Sequence, residues 1–335
     1  MKKLVFLSAL LLLLASCDNS TYKVTVNFIG NELDGKTAYL TNFDTGDTVA
    51  TAVIENKTCL FEGKTEKPFL AVIYHDETAI PFFYQLIVEP GKVNVEIGKL
   101  YSVSSPLNDL MTEQMDKHHL SFHIGYEQDL DNLLQLYQEN KDNLVGQWAF
   151  CQYLFYNEDL DENGIDNLLK EAPAEYAQLH CVEKAKYTAR QAALTSEGKK
   201  YIDYVGIDTE GKTHKLSDLI GKGKPTVLCF FWTRFCDKEN NGLLNINQVK
   251  KSPDFGDKFE LIGISFYDTA EEVNQFVYRN NIDWPVLICK TQRTPLELYG
   301  YTGCVHDPYF IIFDSDGNIS QRGTAAYILF LATLT

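Results

Sequence analysis

The hydrophobic period of this 335-residue chain changes twice, and each change dictates a different kind of packing. In the first stretch apolar residues alternate with polar ones: Tyr22, Val24, Val26 and Phe28 share one side of an extended segment. Further runs of strand length follow at residues 37–41, 48–54, 59–62, 69–74 and 82–97. A period of two puts one row of side chains on a buried face. Gly, Asn and Asp turn residues separate the runs, and Pro90-Gly91 divides the last of them. Five or six short strands in about 80 residues predict a small sandwich-like or barrel-like β domain. From Leu107 the spacing becomes helical, with Leu110, Met111, Met115, Leu133, Leu134 and Leu136 on repeating faces through residue 190. Asn163-Gly164 and Pro173 are expected to cut this region into several helices.

After Gly198 strand and helix patterns alternate. Strands are expected at 225–231, 259–266 and 285–289, helices after Cys236, at 269–280 and near Pro295, and a hairpin at 309–319 around Asp314-Ser315-Asp316-Gly317. Strands separated by helices of ten or more residues require a mixed α/β sheet with parallel pairs. The apolar run 327–334 reads as a docked terminal helix. The expected organisation is a leader over residues 1–17, a β-rich domain over 18–100, a helical connector over 101–195 and an α/β domain over 196–335.

The leader is defined by Lys2 and Lys3, an apolar run over residues 4–14, and small residues ahead of Cys17. That run is shorter than the roughly 20 residues a spanning helix needs, which favours a cleaved signal. Leu14-Ala15-Ser16-Cys17 resembles a bacterial lipobox, and the resemblance implies that Cys17 is lipidated and becomes the mature N-terminus. Acyl chains there would anchor the protein to a membrane of the cell envelope, facing the periplasm or the cell surface. The chain carries 30 Lys and Arg against 46 Asp and Glu, a net charge of −16 that becomes −18 once Lys2 and Lys3 leave with the leader. Such a surface repels phosphate backbones, so no nucleic-acid partner is expected.

Besides Cys17 there are seven cysteines, an odd number, with no C-x-x-C pair and no zinc-like spacing. Most are expected to be buried small hydrophobes, and a disulfide framework is not expected.

One segment carries chemistry. Thr226-Val227-Leu228-Cys229-Phe230-Phe231 is a buried strand that runs through Trp232-Thr233-Arg234-Phe235 into Cys236, placed at an expected helix start. With Leu261-Ile262-Gly263-Ile264-Ser265-Phe266, the entry segment 206–219 and Pro308-Tyr309-Phe310-Ile311-Ile312-Phe313, it resembles the thioredoxin-like domains of the TlpA/ResA and AhpC/TSA group of envelope thiol oxidoreductases. Val88-Glu89-Pro90-Gly91-Lys92 and Ser105-Pro106-Leu107-Asn108-Asp109 resemble a β domain of unknown function that precedes such domains in bacterial lipoproteins. The resemblance implies that Cys236 is the attacking thiol and that Pro308 is a cis-proline facing it. Glu239 stands where the group has its resolving thiol, so an internal dithiol cycle is not available from this motif. Cys304, four residues before Pro308, is the alternative resolving thiol.

A helix N-terminus favours the Cys236 thiolate, whereas Asp237, Glu239 and Asp307 oppose it and Arg234 and Lys238 compensate in part. No strongly depressed thiol pKa is expected. Thr233-x-x-Cys236 also echoes the peroxiredoxin Thr-x-x-Cys, but Cys229 stands where that motif has proline. Other signals are weaker. Asp159-Leu160-Asp161-Glu162-Asn163-Gly164 begins like a calcium loop but has Lys170 where the last ligand belongs, so it is expected to start a helix. His119 and His123, with Glu127 a turn beyond, are expected to be solvated rather than metal-bound. Gly221-Lys222-Gly223-Lys224 lacks the spacing of a phosphate loop. No cofactor is expected. Two functions remain open: a monothiol oxidoreductase acting on an envelope protein disulfide, or an inactive thioredoxin fold that binds an extended peptide.

Overall fold

The computed structural model describes residues 20–30, 32–75, 84–98, 101–120, 129–236, 241–289, 297–301 and 308–334. Its first part is a sandwich of two four-stranded sheets. The strands are β1 (Thr21–Phe28), β2 (Thr37–Asn42), β3 (Thr48–Val53), β4 (Thr58–Lys64), β5 (Phe69–His75), β6 (Tyr84–Val88), β7 (Gly91–Ile97) and β8 (Tyr101–Ser104). One sheet has the order β4-β1-β7-β8 and the other β3-β2-β5-β6. The alternation read in β1 is the sandwich interior: Tyr22, Val24, Val26 and Phe28 are all buried. Strand β8 pairs with β7 and extends this domain to Ser104, past the boundary expected at residue 100.

Strands β5 and β6 break the alternation because they are covered on both faces. Leu70 and Ile87 turn away from the sandwich core and pack into a second cluster with Met111, Leu133, Trp148 and Phe150. These belong to the connector, formed by α1 (Pro106–Lys117), α2 (Leu130–Glu139), α3 (Leu144–Tyr156), α4 (Glu162–Lys170) and α5 (His180–Leu194). The segment 159–164 starts a helix as expected, but Asn163-Gly164 is not itself a break. It lies in the first turn of α4, where Asp161 caps the helix by accepting from Gly164 N–H at 2.7 Å. Pro173 does fall between α4 and a following 3-10 turn.

The seam between sandwich and connector is built from the two motifs singled out at residues 88–92 and 105–109. Strand β6 is an edge strand, and Asn108 satisfies its backbone: its Oδ1 accepts from Ile87 N–H at 2.8 Å and its Nδ2 donates to Ile87 C=O at 2.7 Å. Buried Glu89 accepts from Ser105 Oγ–H at 2.6 Å and from Leu107 N–H at 2.8 Å, which satisfies the start of α1. Cys151 on α3 and Cys181 on α5 form a disulfide with Cα atoms 5.6 Å apart, so these two are not the buried hydrophobes expected of them.

The C-terminal domain has a seven-stranded sheet of order β10-β9-β13-β12-β11-β14-β15. Its strands are β9 (Val205–Asp208), β10 (Thr213–Lys215), β11 (Thr226–Phe231), β12 (Glu260–Phe266), β13 (Val286–Cys289), β14 (Tyr309–Phe313) and β15 (Ile319–Gly323). Strands β11, β12 and β13 run parallel and β14 antiparallel to β11. One face is covered by α6 (Leu216–Leu219) and by Tyr299 and Tyr301. The other is covered by α7 (Gly242–Lys250), α8 (Ala270–Arg279) and α9 (Ala326–Ala332). Every residue of β11 is buried, the physical reason that it reads as an unbroken apolar run. Arg322 on β15 locks this domain to the end of α5: it donates to Thr195 C=O and Oγ1 at 3.0 Å, to Tyr299 C=O at 2.6 Å and to Tyr309 Oη at 2.8 Å.

Asn108→Ala is expected to leave the Ile87 N–H and C=O buried without their partner and to cost about 2 to 4 kcal/mol, read as a lower midpoint in chemical denaturation with an unchanged slope.

Candidate functional site

The buried sheet ends in a corner where β11, β12 and β14 deliver their side chains together. Strand β11 leaves the core at Phe231, passes through Trp232 and closes a 3-10 turn over Thr233–Phe235, with Phe235 N–H bonded to Trp232 C=O and Cys236 N–H to Thr233 C=O. The Trp232 ring is wedged between Phe235 and Tyr267, at centroid distances of 4.8 and 5.4 Å. Because β14 pairs with β11 as far as Phe230↔Tyr309, Pro308 lies one residue beyond that pair at the same end of the sheet.

Cys236 is only 1% exposed, and its Sγ donates to Trp232 C=O at 3.2 Å, a contact that only the protonated thiol makes. The expectation that Cys236 opens a helix is not met. Helix α7 begins at Gly242 with Asn241 as its cap, accepting from Leu243 N–H at 2.9 Å, while Asn241 Nδ2 donates to Phe235 C=O at 3.3 Å. Cys229 lies in the same buried cluster; burial, with Cys236 adding to it, pushes its thiol well above the usual range. Burial likewise pushes the Cys59 thiol up to about 12. Both are inert in this state.

Cys17, Cys304, Asp237, Lys238, Glu239 and Asp307 lie outside the described residues, as does the peptide bond from Asp307 to Pro308. His123 and Glu127 lie outside them too, whereas His119 is exposed.

The residue that sequence reasoning passed over is Asp268. It is 9% exposed and accepts three hydrogen bonds: from Thr233 N–H at 3.0 Å, from Thr233 Oγ1–H at 2.7 Å and from Ser265 Oγ–H. Tyr267 makes this possible, because at φ 66° it turns the chain sharply after β12 and aims the next side chain back at β11. An aromatic residue held in the left-handed region is a costly conformation, sustained here by packing on Trp232 and Phe266. Burial raises the Asp268 carboxyl above its ordinary range against these hydrogen bonds, with Glu272 adding to the rise. The available signal was Ser265, a fully buried hydroxyl in an otherwise apolar strand, whose donor needs an acceptor nearby. Beside this corner a cleft of about 500 Å³ is lined by Ile207, Asp208, Tyr267, Asp268, Ile288 and Cys289.

Residues 197–322 match the AhpC/TSA family, and residues 22–111 match a domain of unknown function, DUF4369. Over 126 residues, 37% of this chain and 68% of the relative, the sequence is 29% identical to the thiol-disulfide oxidoreductase ResA of Bacillus thuringiensis, with the same figures for ResA of Bacillus anthracis. The thioredoxin domain of a thiol-disulfide oxidoreductase from Bacteroides vulgatus aligns with a TM-score of 0.34 and 22% identity, covering 42% of this chain and 99% of that one. The C-terminal domain is thus thioredoxin-like, and over residues 197–322 it is similar to the AhpC/TSA family and to thiol-disulfide oxidoreductases. It stands behind a β-rich domain of unknown function.

A carboxyl whose folded-state pKa is raised adds stability that is fully present below its unfolded value and lost as pH rises through the folded value. Asp268→Asn, permanently neutral and still able to bond Thr233, is therefore expected to melt at or above the wild-type temperature near about pH 7, the advantage vanishing below about pH 3.9. Paired thermal melts across that range check the sign.

Proposed function

We propose that this protein is an envelope-anchored thioredoxin-like protein that acts as a monothiol disulfide oxidoreductase through Cys236. The single observation that supports the reading is the position of Cys236 just past the exit of the central strand of a thioredoxin-like sheet, at the end of the sheet where Pro308 precedes β14. Glu239 in place of a second thiol leaves the motif itself with one sulfur. The Cys236 thiolate would displace one sulfur of a partner disulfide, leaving a mixed disulfide and a partner thiolate. An external thiol would then release the second partner thiolate by taking its place on Cys236, and a further external thiol would free Cys236 as the external disulfide forms. The partner gains two electrons, and two external thiols supply them.

A second reading is favoured by the burial of Cys236 and its bond to Trp232 C=O, which shelter the thiol in this state. In it the fold is a binding module, with the groove beside Pro308 holding an extended peptide. The envelope address rests on the lipobox-like Leu14-Ala15-Ser16-Cys17, and the Cys151–Cys181 disulfide supports it, since such bonds persist outside the reducing cytosol. Among the described residues no helix is long and apolar enough to cross a membrane.

Reduction of insulin or of an envelope protein disulfide by the mature protein, with a low-molecular-weight thiol as reductant, is expected to be lost in Cys236→Ser. Equal turnover in the variant, or none in either protein, would remove the enzyme reading and leave the binding module. Cys17→Ser is expected to shift the protein from the membrane to the soluble envelope fraction, and retention in the membrane fraction would refute lipid anchoring at Cys17.

A further inference from the structure

The corner at Asp268 is built with more constraint than a loop between β12 and α8 requires. A buried carboxylate takes all its hydrogen bonds from two residues, one of them the first residue of the Cys236 turn. Thr233 is gripped by both its N–H and its hydroxyl, while its carbonyl accepts the Cys236 N–H. Three hydrogen bonds, all through Thr233, therefore connect the Asp268 carboxylate to the Cys236 backbone. The left-handed Tyr267 aims Asp268 at Thr233, and its ring packs on Trp232, whose carbonyl receives the Cys236 Sγ–H. Helix α8 does not need Asp268, because Thr269 and Glu272 already cap it reciprocally.

We infer that Asp268 is a positioning residue, a latch that keeps the 3-10 turn closed over the Cys236 thiol, and that a reacting Cys236 is reached by releasing Thr233 from it. The inference rests on the proposal that Cys236 is the reacting thiol. Charged side chains near this corner include Glu272 on α8, engaged in its own cap, Asp208, paired with His214 at the cleft, and Arg234 within the turn itself, with Tyr267 and Cys289 as titratable neutral groups.

The test is the rate at which Cys236 is alkylated by iodoacetamide in the folded mature protein, resolved by peptide mapping from about pH 6 to 9, with buried Cys229 as the internal control for unfolding. Asp268→Ala is expected to raise Cys236 alkylation by about tenfold or more across the profile while Cys229 stays protected. Asp268→Asn, which retains an acceptor for Thr233 N–H and an amide for its hydroxyl, is expected to stay within about threefold of wild type. Unchanged Cys236 alkylation in Asp268→Ala with Cys229 protected would overturn the latch. Should Asp268→Ala expose both thiols, Thr233→Val decides: it removes one of the two grips, and a selective rise at Cys236 supports the latch whereas none overturns it. Alkylation needs no turnover, so loss of the oxidoreductase reading in the insulin assay leaves this result independently readable.

Discussion

The C-terminal domain depends on β11 being covered on both faces along its whole length. A strand in that position has all its backbone groups in ladders and its side chains in packed cores, so it can carry chemistry only where it leaves the sheet. Its parallel neighbour β12 emerges at the same end, and its antiparallel neighbour β14 enters there. Trp232–Cys236 and Tyr267-Asp268 come from distant parts of the chain and meet at this end of the sheet, where Pro308 also lies by register. The apolar interior stops at this corner and polar groups begin, so a raised carboxyl, a left-handed tyrosine and a sheltered thiol occur within one contact shell.

The same principle of leaving no buried backbone group unpaired explains how the parts of the chain are joined. The edge strand β6 would expose its N–H and C=O beneath the connector, and Asn108 supplies both partners from one amide. Glu89 does the reverse for the opening turn of α1. Further along, the Arg322 guanidinium donates to the carbonyls of buried Thr195 and Tyr299 where α5 gives way to the thioredoxin-like domain. Each junction is held by a side chain that completes another element's backbone. The Cys151–Cys181 bond adds a covalent tie within the connector, between helices whose sequences carry no mutual signal.

Much of this was legible in the chain before any coordinates. Alternation in β1, the buried apolar run of β11 and the helical pattern at 269–280 are local patterns, and each produced the element it predicts. The failures have a common cause. Asn163-Gly164 looks like a break because glycine is a poor helix residue, but Asp161 caps the turn just before it and recruits it into α4. The strand and turn ahead of Cys236 read as leading straight into a helix, whereas the Asn241 cap puts the start of α7 further along.

By itself the sequence determined the three-part architecture, the identity of the strands, the single sulfur at the motif and the acidic character of the surface, because these follow from residue type and spacing along the chain. Only the tertiary structure decided that Asp268 holds Thr233 at the head of the Cys236 turn, that Cys236 is sheltered, that Cys151 meets Cys181 and that Glu89 and Asn108 stitch the sandwich to the connector. These are pairings between residues distant in sequence, set by sheet register and helix docking. A polar side chain's spacing along the chain says that it needs a partner when buried, but not which element the fold will bring within about 3 Å of it.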